Sequence, residues 1–265
     1  MNILVTLNEN YLSPLKVLLN SLFQNNEKEA FSIYLLHSSI PEEKLSPLDT
    51  YIQDKGHHFF PIRVDPNMFK DAPVLRHYTS EMYYRLAAHL FLPEHVERIL
   101  YLDPDIVCIN PIAPFYYTDF EGHFFIASEH EHSAKKARLI NKLRLRTPNA
   151  KGYFNTGVLL MNMALIRQHV KMEEIYEFIE ENKLKLILPD QDVFNALFWN
   201  KIKPVESCRY NYDARFFELS KYFSKKHDLN WIKNYTIFIH YCGKDKPWHP
   251  NYKYTLGTFY QKYCE

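Results

Sequence analysis

Over its first hundred residues this chain alternates short apolar runs with helix-length amphipathic segments, and few architectures accept that rhythm. Ile3–Leu7, Phe31–Leu36, Phe59–Val64 and Arg98–Leu102 read as strands, with Leu12–Phe23, Pro41–Gln53 and Ser80–Phe91 between them as helices. Pro41 stands near the start of its helix, where a missing N–H does no harm. Strands joined by helices of this size imply right-handed crossovers, and so an α/β fold with a mainly parallel central sheet. Ligands of such sheets bind beyond the carboxyl ends of the strands. The fourth strand runs into Asp103-Pro104-Asp105, which sets two carboxylates at one of those ends.

The pattern loosens after Asp105. Phe124–Ala127, Val158–Asn162, Ile202–Val205 and Thr236–His240 are expected strands. Ala134–Leu145, a long Met163–Glu181 and Asp190–Phe198 are expected helices, followed by an aromatic C-terminal segment. No linker, low-complexity tract or internal repeat interrupts the 265 residues, so one domain spanning 1–265 is expected, more irregular in its second half. Twenty Tyr and nineteen Phe supply core area and stacking surface, an abundance that does not by itself mark a ligand.

Several function classes fall away on composition. A formal charge of +1 gives no global field to recruit nucleic acid or membrane, so no nucleic-acid partner is expected. The chain has six glycines, and the first strand leads into Asn8-Glu9-Asn10-Tyr11. Neither Gly-x-Gly-x-x-Gly nor Gly-x-x-x-x-Gly-Lys-Ser/Thr is present, which argues against a dinucleotide dehydrogenase and a P-loop NTPase. A nucleotide on this sheet would have its diphosphate handled by a metal and side chains. Met1-Asn2-Ile3-Leu4-Val5 lacks the flanks of a signal peptide, and no apolar run approaches the roughly 20 residues that span a bilayer. Cys108, Cys208, Cys242 and Cys264 are widely spaced, so free buried thiols and a cytoplasmic location are expected.

Residues two apart on an extended backbone point the same way, so Asp103 and Asp105 can converge, with Pro104 stiffening the segment between them. Such a pair suits Mg²⁺ or Mn²⁺ holding a diphosphate, although a lone Asp-x-Asp equally fits a polar turn after a core strand. Four further segments keep it company. Tyr153–Asn162 sets Asn155 before an apolar strand, and Leu188–Asn195 opens a helix with Asp190, Gln191 and Asp192. His240–Trp248 delivers an imidazole from a strand end and then Gly243, Lys244 and Lys246, while Tyr83-Tyr84-Arg85-Leu86 puts a guanidinium on a helix. Each has a plainer alternative: Asp190 as a helix cap, Asn155 satisfying its own turn, Arg85 as a surface charge, His240 as a core histidine. Zinc on His240 and Cys242 fits no usual spacing.

Tyr101-Leu-Asp-Pro-Asp105, Tyr153-Phe-Asn-Thr-Gly157, Pro189-Asp-Gln-Asp192, His240-Tyr-Cys-Gly243 and Lys246-Pro-Trp248 occur in this order. Together they resemble the family-8 glycosyltransferases, which include bacterial lipopolysaccharide galactosyl- and glucosyltransferases and, more distantly, glycogenin. The resemblance runs over nearly the whole chain. It implies a GT-A fold, a single Rossmann-like domain in which 1–107 is the nucleotide-binding half and 108–265 the sugar and acceptor half. It implies metal-dependent, retaining transfer of a hexose, galactose or glucose, from a UDP-sugar to a saccharide or glycolipid acceptor, usually with Mn²⁺ and with Mg²⁺ as the substitute. By motif position Asp103, Asp105 and His240 hold the metal, and Asn8 and Tyr11 meet the uridine. His77 and Arg85 fall in the donor region, Asn155, Asp190 and Gln191 near the transferred sugar, and Gly243 and Lys246 at the diphosphate. Two positions depart from the pattern. Asn8 stands where Asp is common, and His130 stands where galactosyltransferase-like members tend to carry Asp, which leaves the sugar open.

The chemistry agrees with the resemblance. Charge that develops on a leaving diphosphate calls for a Lewis acid and a cation such as Lys246. The sugar carbon gains oxocarbenium character, with Gln191 the candidate beneath it and Asp190 the carboxylate alternative. An amide is a poor nucleophile, so front-face substitution fits better than a glycosyl-enzyme. One rival is a catalytically weak or inactive UDP-sugar-binding protein of the same fold. A glycosidase is excluded, because a Pro between two Asp cannot set them on opposite faces of a sugar. The basic run Lys135, Lys136, Arg138, Lys142, Arg144 and Arg146 is either a solvated face or a cover facing an anionic glycolipid. Some relatives carry a basic aromatic tail; here the last residues are Tyr263-Cys264-Glu265, so at most weak peripheral membrane contact is expected.

Overall fold

A computed structural model describes residues 1–73, 80–129, 135–223 and 227–264. Its strands are β1 (Asn2–Thr6), β2 (Ser32–His37), β3 (His58–Arg63), β4 (Arg98–Leu102), β5 (Ile106–Cys108), β6 (Phe125–Glu129), β7 (Phe154–Asn162), β8 (Ile202–Val205), β9 (Tyr212–Asp213) and β10 (Phe238–His240). Seven of them form one sheet in the order β3-β2-β1-β4-β7-β6-β8. β1 lies between β2 and β4, parallel to both, and β3 joins β2 in the same sense. Only β7 runs the other way, antiparallel to β4 and β6, while β8 is parallel to β6. The mainly parallel sheet is therefore as the βα rhythm requires.

The central strands are apolar on both faces because both faces are covered. Ile3, Val5, Ile33, Leu35, Leu100 and Leu160 pack on helices Leu12–Gln24 and Glu42–Asp54. Leu4, Leu36, Ile99, Tyr101, Leu159 and Met161 face the opposite layer, built from the Ser80–Leu90, Met172–Asn182 and Pro189–Leu197 segments. A smaller sheet, ordered β5-β10-β9, carries its own aromatic cluster of Tyr212, Phe217, Tyr241, Tyr260 and Tyr263.

Two local expectations are corrected, and one helix is refined. Ser80–Leu90 is the helix expected there, wound as a 3₁₀ coil. Every residue from Glu81 to Ala88 is buried, so the segment is enclosed on all sides. The long helix Met163–Glu181 is two helices, Met163–His169 and Met172–Asn182. The chain extends at β-branched Val170 and at Lys171, and the break lets Met163, Ile166, Met172, Ile175 and Ile179 reach one core layer. Nor are the cysteines all buried: the four are free thiols, but Cys242 is half-buried and Cys264 exposed. Among the described residues, no helix is long and apolar enough to cross a membrane.

Candidate active site

A cleft of about 250 Å³ opens beyond the carboxyl ends of the parallel strands. Thr6, Leu7 and Asn8 reach it from the end of β1, and Asp103–Asp105 from the end of β4. His240 closes β10, Asn155 and Thr156 come from β7, and Asp190 and Gln191 from the first turn of helix Pro189–Leu197. Between β4 and β5 the backbone turns at Pro104 and Asp105. The two carboxylates thus converge through a turn and a change of sheet, and not through strand alternation as the spacing had implied.

At the turn, each carboxylate commits one oxygen to a cation and leaves the other facing an imidazole. Asp103 Oδ1 accepts the Tyr101 hydroxyl at 2.6 Å and pairs with Arg85 Nη2 at 3.0 Å, while Oδ2 lies 3.7 Å from His240 Nε2. Asp105 Oδ2 accepts Lys246 Nζ, and Oδ1 lies 3.2 Å from His240 Nε2. Burial pushes the Asp105 carboxyl up, but Lys246 and His240 beside it prevail and hold it below the usual carboxylate range. The Asn211 amide donates through Nδ2 to Asn155 Oδ1 at 2.8 Å, so its Oδ1 is left to accept from His240 Nδ1 at 2.9 Å. That network places one proton on Nδ1; burial disfavours a second, but Cys242 and Asp105 beside the ring prevail and raise the imidazole well above its ordinary range, so a cation bound here would take the place of an Nε2 proton.

The three side chains offer ligand atoms that all lie within 4.8 Å of one another. Two hard oxygens and an imidazole nitrogen suit Mn²⁺ or Mg²⁺. The room around them depends on Gly157, where a Cβ would strike the His240 ring and come within 2.8 Å of Asp103 Oδ2. The residues present fit a divalent ion.

The opposite wall is organised by Arg85, which is buried rather than a surface charge. Its Nε donates to Met82 O at 2.9 Å and its Nη1 to Thr156 O at 2.8 Å, and the guanidinium lies 4.4 Å from the Tyr101 ring centre. It pairs with Asp103 and, at 3.5 Å through Nε, with Asp190. Asp190 is not a helix cap: Leu188 occupies that position, and Asp190 Oδ2 instead accepts Thr156 Oγ1 at 3.1 Å. Burial raises the Asp190 carboxyl, with Arg85 opposing. Asn155 does satisfy its own turn, accepting Gly157 N at 2.8 Å, and also donates to Gln191 Oε1 at 3.3 Å. Gln191 Nε2 is buried without a hydrogen-bond partner.

Asn8, Tyr11, Arg85, Asp103, Asp105, Asn155, Asp190, Gln191, His240, Gly243 and Lys246 all line this one cleft. His77, expected with them, and His130 lie outside the described residues. At the far end Asn8 accepts Asn10 N at 3.0 Å, and the Tyr11 ring meets Trp248 edge-on at 5.8 Å. Two residues had no signal in the sequence. Asn211 sits in a short connection before β9, and Arg215 lines the cleft with Nη2 on Asp213 at 2.6 Å. Arg215 also explains Gly243: its φ of +89° favours glycine, and a Cβ there would lie 2.8 Å from Arg215 Nη1.

Comparison with known proteins converges on one family. Residues 2–251 match the family described as glycosyl transferase family 8. A lipopolysaccharide 1,2-glucosyltransferase of Escherichia coli is 27% identical over 268 residues, covering 96% of this chain and 75% of the relative. General stress protein A of Bacillus subtilis is 25% identical over 270 residues, covering 99% of this chain and 92% of the relative. Among solved structures, the galactosyltransferase LgtC in complex with donor and acceptor sugar analogues superposes with a TM-score of 0.85. That match is 23% identical and covers 100% of this chain and 95% of that one. At this identity the likeness is one of fold, and the fold is GT-A.

Proposed function

The chain belongs to glycosyltransferase family 8 and is an enzyme of that kind, and from this premise we propose that it moves a hexose from a UDP-sugar to a saccharide or glycolipid with retention. The observation that carries the proposal is the convergence of Asp103, Asp105 and His240, each with one ligand atom turned to a common point. Asn8 and Tyr11 hold the uridine end, and the whole of 1–265 acts as one GT-A unit in the cytoplasm. The glucosyltransferase and galactosyltransferase names of the two relatives bracket the sugar.

Mn²⁺, or Mg²⁺ in its place, would be held by those three residues and would supply Lewis-acid stabilisation of the leaving diphosphate. The chain's own groups do the rest. Lys246 and Arg215 add positive charge at the diphosphate end, beside Gly243. Arg85 fixes Asp103 and Asp190 in one grip, so the cation site and the sugar site keep a constant separation. The unpaired Gln191 Nε2 donates to a sugar oxygen, its missing partner, and the amide dipole lies against the carbon that becomes electron-poor. Asp190 is tied down by Thr156 and Arg85, which disfavours it as a nucleophile and supports front-face attack by the acceptor.

Titration calorimetry of UDP with and without Mn²⁺, followed by a screen of UDP-sugars for Mn²⁺-dependent hydrolysis, tests the proposal. UDP should bind far more tightly with the metal, and one of UDP-galactose or UDP-glucose should be hydrolysed. Equal stabilisation by GDP in a thermal-shift panel would refute the donor assignment.

A further inference from the structure

We propose that the surface made by helix Lys135–Arg144 and the neighbouring 184–187 loop docks on an anionic lipid bilayer. Leu139, Ile140 and Leu143 are 60%, 60% and 71% exposed, and Leu184 and Ile187 are 97% and 62% exposed. Single exposed apolar side chains are ordinary, but five carried on two elements joined by a hydrogen bond are more than scattered exposure supplies. On the helix, Leu143 follows Leu139 by four residues and Ile140 by three, so the three share one face.

The two elements are tied together firmly. Arg144 Nη1 donates to Lys185 O at 3.1 Å, and both ends of its guanidinium reach Asp192 at 2.6 Å. Asp192, fully buried, also accepts Ile187 N at 2.6 Å. The apolar tips are therefore carried on a braced scaffold, and ordering them at a membrane requires little further loss of freedom.

Charge points to the occupant. From 135 to 151 the chain holds Lys135, Lys136, Arg138, Lys142, Arg144, Arg146 and Lys151 and no acidic residue. Asp192 neutralises Arg144, and Lys185 adds a cation on the adjoining loop, with Glu181 also lining the groove between them. The whole chain carries only +1, so this basic run is a segregated feature of the sequence and not a share of a general excess. Exposed leucines interleaved with basic residues and no acid are the chemistry of an interfacial helix on anionic headgroups.

The position is also suited to the reaction. Leu188, next to the exposed Ile187, lines the catalytic cleft. Docking through this face would hold the mouth of the cleft beside a bilayer, where the sugar of a membrane-anchored acceptor stands.

Vesicle flotation with the full chain tests the surface without donor or acceptor, so its failure would leave the proposed transfer reaction untouched. The protein should float with phosphatidylglycerol-containing vesicles, less at high salt, and poorly with pure phosphatidylcholine. A Leu143→Ser, Leu184→Ser, Ile187→Ser variant should bind the anionic vesicles on the order of tenfold more weakly or worse. It should keep its melting temperature and Mn²⁺-dependent UDP affinity, since all three side chains are exposed. Absence of wild-type binding, or equal binding by the variant, would overturn the proposal. So would a dimer in sedimentation velocity that the variant dissolves, because the patch would then belong to a second copy of this chain.

Discussion

Two Asp-x-Asp triplets in this chain share a spacing and little else. Asp103-Pro104-Asp105 lies on a turn between two sheets, and both carboxylates face one cleft. Asp190-Gln191-Asp192 lies in a helix, where residues two apart are separated by about 200° around the axis. Asp190 accordingly faces the cleft, while Asp192 turns away to accept Arg144, Tyr153 and the amides of Ile187 and Leu188. Spacing alone therefore does not define a carboxylate pair. The backbone between the two residues decides whether they form one site or serve two.

The contrast can be broken most forcefully at Asp192. Asp192→Ala would strand a largely buried guanidinium and two amide donors, so a loss of about 3–5 kcal/mol in stability is expected. Denaturant unfolding measures it, and Mn²⁺-dependent UDP affinity of the folded fraction should stay close to wild type. A variant of normal stability that fails to bind nucleotide would mean that Asp192 belongs to the site after all.

Asp103→Asn should show the opposite profile. Tyr101 and Arg85 both donate to Oδ1, so they would orient a substituted amide with its oxygen toward them. That leaves an NH₂ group where Oδ2 now faces His240, repelling a cation while the local hydrogen bonds survive. Mn²⁺-dependent UDP affinity should fall by about 10²–10³-fold, in line with the several kcal/mol a metal contributes, with little change in stability. Calorimetry at matched free Mn²⁺ checks this, and unaltered affinity would remove Asp103 from the metal site.

The two triplets also differ in how far sequence reasoning reaches. The βα rhythm of the first hundred residues dictated the parallel sheet, and Asp103 and Asp105 lay at a strand end where ligands bind. That much rests on local periodicity. The turn at Pro104 was hidden, because Ile106–Cys108 is as apolar as the strand before it and only the tertiary fold sends it to another sheet. Arg85 was equally hidden: no local pattern tells a buried guanidinium paired with two carboxylates from a solvated one.

Gln191, between the carboxylates of the second triplet, sharpens the comparison at the level of chemistry. Gln191→Ala should lower turnover by about 10²-fold through loss of one electrostatic contact, with UDP affinity little changed and retention preserved. Proton NMR of the product anomer reads the stereochemistry. An inverted product would refute front-face substitution, and a covalent sugar trapped on Asp190 would replace it with double displacement.

The smallest effect is expected at Asn211, which joins the two triplets. Its Oδ1 accepts from His240 beside Asp103 and Asp105, and its Nδ2 reaches Asn155, which donates in turn to Gln191. Asn211→Ala frees the imidazole to rotate and to place its proton on Nε2, the atom that faces Asp103 and Asp105. Mn²⁺ affinity should weaken by about tenfold, the lower end of what loss of a ligand's supporting hydrogen bond does. UDP binding without metal should hold. Asn211→Asp keeps the acceptor for His240 but loses the donor to Asn155, so it should restore metal affinity while leaving turnover reduced. Recovery of both by Asp would mean that the link to Gln191 carries nothing, and the metal and sugar ends of the cleft would then act independently.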